Sequence, residues 1–113
     1  MPELARVRYS KRDIELSKQI YVYLVANLTS PQPAFVTYKQ VGDARGVFHR
    51  TIRGALYYIQ DRCKERGWPT LTVWVVRKDS GLPGRGCDVV EWPEVKAAAE
   101  ACKKIDWPKE PWW

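Results

Sequence analysis

Residues 37–56, TYKQVGDARGVFHRTIRGAL, constrain the fold more tightly than any other part of this chain, because they read as two helices meeting at a tight turn. Thr37 followed by Gln40 has capping-box spacing, so a short helix is expected to begin near Tyr38. Gly42 loosens that helix and Gly46 can adopt positive φ, which makes residues 44–46 a turn. A longer helix then starts near Phe48 or His49 and runs to about Arg66. Helix-turn-helix proteins present a helix to DNA in this way.

The longer helix divides into two faces. Ile52, Leu56, Ile59 and Cys63 form its expected buried stripe, while Arg50, Arg53, Tyr57, Gln60 and Lys64 fall three and four residues apart on a neighbouring polar face. Side chains at that spacing stand over one another and can follow a groove or a phosphate track. Arginine suits the task because its planar donors bracket a phosphate or the O6 and N7 edge of guanine. The charge is distributed accordingly: residues 1–66 hold 12 Lys or Arg against 6 Asp or Glu, and residues 67–113 hold 7 of each. All of the net +6 therefore lies in the half with the two helices, where a polyanion is drawn first. The alternative is a solvated face whose arginines pair with Asp61, Glu65 or Asp43.

The remaining segments supply a scaffold. Residues 1–9 alternate weakly and read as an edge strand or a tail. Ser10 and Asp13 have capping spacing, and Leu16, Ile20, Leu24 and Leu28 recur at steps of four, which predicts a helix over 11–28. Ser-Pro and Gln-Pro in 29–33 redirect the chain. Gly67 stands where a helix ends. Residues 70–77, TLTVWVVR, have the β-branched composition of a strand, succeeded by a turn at 78–81 and a Pro- and Gly-rich loop at 82–87. If residues 88–91 return as a second strand, the pair forms a wing, with Lys78 and Arg85 placed to touch phosphate. A last helix is expected over 94–104, with Val95, Ala98, Ala99 and Cys102 on or near its inward face.

The tail 106–113, DWPKEPWW, is too rich in proline to continue that helix. Its tryptophans, Trp107, Trp112 and Trp113, either fold back over the domain or form a contact with a second subunit or another protein.

With 113 residues, 45% of them hydrophobic and 28% charged, the chain suits one folded domain. No apolar run approaches the roughly 20 residues of a membrane span, and the first nine residues lack a signal-peptide core. A cytoplasmic location without membrane contact is the expectation. Cys63, Cys87 and Cys102 are widely spaced and accompany a single histidine, so no zinc signature is present and neither metal nor cofactor is expected. Chemistry would have to rest on His49, on Cys87 beside Arg85, or on a magnesium pair of Asp79 and Asp88. No spacing requires it.

Several of these elements resemble the C-terminal winged-helix domain of O6-alkylguanine-DNA alkyltransferases and their non-enzymatic alkyltransferase-like relatives. They are the amphipathic first helix, Thr-Tyr at 37–38, Arg50 with Ala55 and Leu56, the Val-Val pair and the Ser-Gly turn, all within residues 14–81. The resemblance implies that Arg50 enters a duplex to help flip a base and that Tyr38 helps rotate the nucleotide. It also implies a Pro-Cys-His-Arg motif after the long helix, where this chain reads Pro69, Thr70, Leu71, Thr72 and lacks the reactive cysteine.

The expected architecture is therefore α+β: a winged helix-turn-helix with about four helices and a small two- or three-stranded antiparallel sheet. The expected function is non-catalytic binding of DNA, with RNA a second option. Arg50, Arg53, Tyr57, Gln60 and Lys64 form the reading helix, Tyr38 and Lys39 approach the backbone, and Lys78 and Arg85 lie on the wing. Two other classes fit the residues less fully: a protein-interaction module or homodimer using the tryptophans, and a small phage or bacterial hydrolase or nuclease centred on His49.

Overall fold

A computed structural model describes residues 9–84, 87, 89 and 91–111. Its first helix, α1 (Lys11–Leu28), starts where expected because the Ser10 hydroxyl accepts the Asp13 N–H at 3.0 Å. Leu16, Ile20, Leu24 and Leu28 are all buried, as their spacing predicts, and Ser17 and Tyr21 join them. Ser17 loses no hydrogen bond by burial, since its hydroxyl donates to the Ile14 carbonyl at 2.6 Å.

Val36–Thr37 forms a two-residue strand, β1, which leads directly into α2 (Tyr38–Arg45). The capping box is complete: Thr37 Oγ1 accepts the Gln40 N–H at 3.1 Å, and Gln40 Oε1 accepts the Thr37 N–H at 2.8 Å. Gly46 ends α2 in the left-handed region at φ 71°, and Val47 N–H returns to the Gly42 carbonyl at 2.9 Å. The helix expected from His49 begins instead as a 3₁₀ turn (His49–Ile52) that passes into α3 (Arg53–Glu65). Ile52, Leu56, Ile59 and Cys63 are its buried stripe, with Ala55 beside them. α1 and α3 pack against each other, and a methyl at Gly54 would run into the Asp13 carboxylate.

The strand expected over 70–77 is mostly something else. Leu71–Trp74 is a buried 3₁₀ turn, and only Val75–Val76, β2, is extended. Both α3 and helix α4 (Trp92–Cys102) pack on that turn, so the β-branched composition reflects burial against helices rather than a long ladder. β2 pairs with β1 in parallel, Val36 opposite Val75 and Thr37 opposite Val76, so the expected antiparallel sheet is corrected to a parallel one. Parallel pairing results from the intervening α2 and α3, which carry the chain across and bring it back in the same direction. Of the return strand expected over 88–91, Asp88 and Val90 lie outside the described residues, and Val89 and Glu91 are in no strand. Beyond β2 the chain turns, closed by Gly81 N–H to the Arg77 carbonyl at 2.8 Å and Arg77 N–H to the Leu82 carbonyl at 2.9 Å.

α4 starts two residues earlier than expected, with Pro93 in its first turn, and buries Val95, Ala99 and Cys102. The tail then folds back. Trp107 is 8% exposed, donates its indole N–H to the Cys102 carbonyl at 2.9 Å, and meets Trp68 edge-on at 5.2 Å. Tyr21 donates to the Pro108 carbonyl and Arg66 to the Pro111 carbonyl, which fastens the tail to α1 and to the end of α3. The result is a compact α+β domain of four α-helices and a two-stranded parallel sheet among the described residues. No helix among them is long and apolar enough to cross a membrane.

Gly42 has a stricter role than loosening α2. A methyl there would lie 2.8 Å from the Val47 carbonyl oxygen and 2.9 Å from the His49 Cα, both backbone atoms that cannot swing aside. Gly42→Ala is therefore expected to lower unfolding stability by about 1–3 kcal/mol, read as a reduced midpoint in urea. A midpoint equal to that of the parent would show that the two segments are not in hard contact.

Candidate nucleic-acid interface

The two helices and the loop after β2 enclose a cavity of about 610 Å³, a volume in the range that takes a small organic ligand or one nucleotide. One wall comes from the 3₁₀ turn and α3: His49, Arg50, Arg53, Leu56, Tyr57 and Gln60. Tyr38, from the first turn of α2, faces them. Thr72, Arg77, Gly84 and Cys87 close the remaining side. None of these lining residues is an Asp or Glu, and three are arginines.

Tyr38 holds the loop in place. Its hydroxyl oxygen accepts the Gly84 N–H at 2.9 Å, and a methyl at Gly84 would stand 2.5 Å from that oxygen. Burial pushes the Tyr38 pKa above its ordinary value, outweighing the Gly84 N–H and the nearby Arg53 charge that pull it down. The phenol therefore stays protonated at neutral pH. Tyr38 is thus partly spent on structure, and does not simply reach outward from α2 to a phosphate.

Arg50 and Arg53 are exposed at the cavity and have no ion pair among the described residues. The three acids that would neutralise them are engaged elsewhere. Asp43 pairs with Lys39 at 2.8 Å, Glu65 pairs with Arg62 at 2.8 Å, and Asp61 accepts from Tyr9. Arg77 differs, because Asp79 holds it at 2.9 Å. Of the pairings that the solvated-face alternative expects, none reaches Arg50 or Arg53 among the described residues, and Glu65 takes Arg62 instead.

Of the other expected contact residues, Tyr57 lines the cavity and remains partly exposed, but Gln60 is only 7% exposed and sits in the cavity wall rather than on an open helix face. Thr72, from the 3₁₀ turn that packs on α3, lines the same cavity. Lys39, Lys64 and Lys78 are exposed but do not border the cavity. Arg85, Trp112 and Trp113 lie outside the described residues, and Trp107 is buried in the chain's own core, not displayed as a contact. Arg77, Thr72 and Gly84 were not expected at the site. Arg77 had a visible signal in retrospect, as the first charged residue after a buried apolar run.

Cys87 reaches the wall with its sulfur 3.9 Å from Thr72 Oγ1. Asp79 is paired with Arg77 and Asp88 lies outside the described residues, so the magnesium pair is not assembled among them. No group of three His, Cys, Asp or Glu suited to a metal ion occurs among the described residues.

The comparisons lend the site no precedent. No family model matches the chain, and no curated protein or solved structure matches it.

The three thiols are expected to separate by reactivity. Burial pushes Cys63 up to about 11 and Cys102 up to about 12, whereas Cys87 is half-buried at the cavity wall. A maleimide at about pH 8 should label Cys87 on the folded protein and the other two only as it unfolds. Labelling of all three at one rate in native buffer, read by peptide mass mapping, would show that the wall and the core are equally open.

Proposed function

We propose that this chain is a non-catalytic nucleic-acid-binding domain, with DNA its preferred ligand, and that the arginine-lined cavity between α2, α3 and the loop after β2 is its contact site. The observation that carries the proposal is the pair Arg50 and Arg53, exposed, and without an ion pair or a lining carboxylate beside them among the described residues. Burying or neutralising two guanidinium groups internally was open to the fold, since Asp43, Asp61 and Glu65 are close in sequence, yet each of those acids is committed to another group. An anionic ligand supplies the missing counter-charge and releases its own counterions when bound.

The resemblance to the alkyltransferase domain supports the same reading. Tyr38 and Arg50, the two positions it singles out, both border the same cavity. Alkyl transfer is left out of the proposal because residues 69–72 offer no cysteine. The tryptophan-based alternative loses Trp107 to the core.

Fluorescence anisotropy with labelled duplex DNA, single-stranded DNA and RNA across a salt series tests the proposal. Binding should weaken steeply as salt rises. The double variant Arg50→Ala with Arg53→Ala should lose at least about tenfold in affinity and flatten the log–log salt slope by about two. Absence of binding to every probe at low salt overturns the reading.

A further inference from the structure

Phe48 is the most exposed large apolar side chain among the described residues, at 60%. Its neighbours took the opposite course: Val47 packs on the core and Ile52 is fully buried. The exposed ring is nevertheless carried on a fixed backbone. Its carbonyl accepts both the Thr51 N–H at 2.9 Å and the Thr51 hydroxyl at 2.6 Å, and the next residue's Cα abuts Gly42. The turn that presents Phe48 is therefore held from two sides.

The ring stands beside polar and basic groups. The His49 ring lies 4.6 Å away at 52°, and Arg50 comes next in the chain, with His49 and Arg50 both lining the cavity. A protein partner is recognised by a contiguous apolar patch, and a single ring beside a histidine and an arginine is not one. A ligand that offers a flat π face next to an anion fits the pair. Nucleic acid has that chemistry at every residue, a base joined to a phosphate.

We propose that Phe48 is the base-stacking side chain of this surface, an inference that rests on the nucleic-acid reading above. Its ring lies against a base of the bound strand, while Arg50 and Arg53 hold the adjoining phosphates. Stacking is largely independent of salt, whereas the phosphate contacts are not, so the two contributions separate experimentally.

The test compares the parent with Phe48→Ala and Phe48→Trp by anisotropy, using duplex and single-stranded DNA with and without 2-aminopurine. Phe48→Ala is expected to weaken binding about 5- to 100-fold at unchanged salt slope, and to abolish the quenching of 2-aminopurine that the parent produces. Phe48→Trp is expected to restore both. A thermal melt of Phe48→Ala should match that of the parent, because the ring is 60% exposed. Unchanged affinity in Phe48→Ala, a loss accompanied by a flatter salt slope, or a parent dimer in sedimentation that Phe48→Ala dissolves would each overturn the stacking assignment while leaving DNA binding in place. Failure of the parent to bind any probe overturns the nucleic-acid reading itself, and the stacking role with it.

Discussion

The absence of a side chain at residue 42 sets the geometry of everything around the cavity. α2 approaches the backbone of residues 47–49 so closely that only a hydrogen atom fits on the Gly42 Cα. That contact decides the angle at which the chain leaves the turn, and hence where the 3₁₀ segment His49–Ile52 begins. Ile52 then enters the core while Phe48 and Arg50 remain outside. Gly46 contributes differently, by adopting positive φ in open space. One glycine makes the turn possible, and the other makes it tight.

Local signals in the sequence were readable because the interactions they encode are local. The Ser10 and Thr37 caps, the end of α3 before Gly67 and the stripe on α1 depend on groups within four residues of one another. The sheet was not readable in this way. Val36 and Val75 pair across two intervening helices, and neither residue announces a parallel partner. A run such as TLTVWVV shows only that it is apolar, and burial inside the core satisfies that requirement in a 3₁₀ turn as well as in a strand. Gln60 illustrates the same limit. Helical periodicity puts it on the polar face, but in the fold it is buried in a cavity wall.

The site was partly legible for a related reason. Arg50, Arg53, Tyr57 and Gln60 come from one helical stretch, so their grouping is set by spacing alone. Tyr38 joins them through the capping box, which fixes the first turn of α2 beside the start of α3. Arg77, Thr72, Gly84 and Cys87 arrive through the parallel pairing and the latch between Tyr38 and Gly84. Without the tertiary pairing those four residues have no reason to be assigned to the same place as Arg50.

The cavity divides its charges by type of side chain as well as by position. The lysines expected to contribute, Lys39, Lys64 and Lys78, all lie off the cavity, whereas its permanently charged groups are guanidinium groups. An ammonium is compact and strongly hydrated, and it gains little from a semi-enclosed wall. A guanidinium is planar and more weakly hydrated, so it tolerates the loss of water that a cavity imposes and still offers several donors in one plane. Arg77 is held by Asp79 on the rim, which leaves Arg50 and Arg53 as the groups whose charge is uncompensated among the described residues. A ligand that enters therefore meets the rings of Tyr38 and Tyr57 together with two exposed cations on long side chains. That combination favours a ligand with a planar part joined to an anionic part, which nucleic acid supplies and a compact inorganic anion does not.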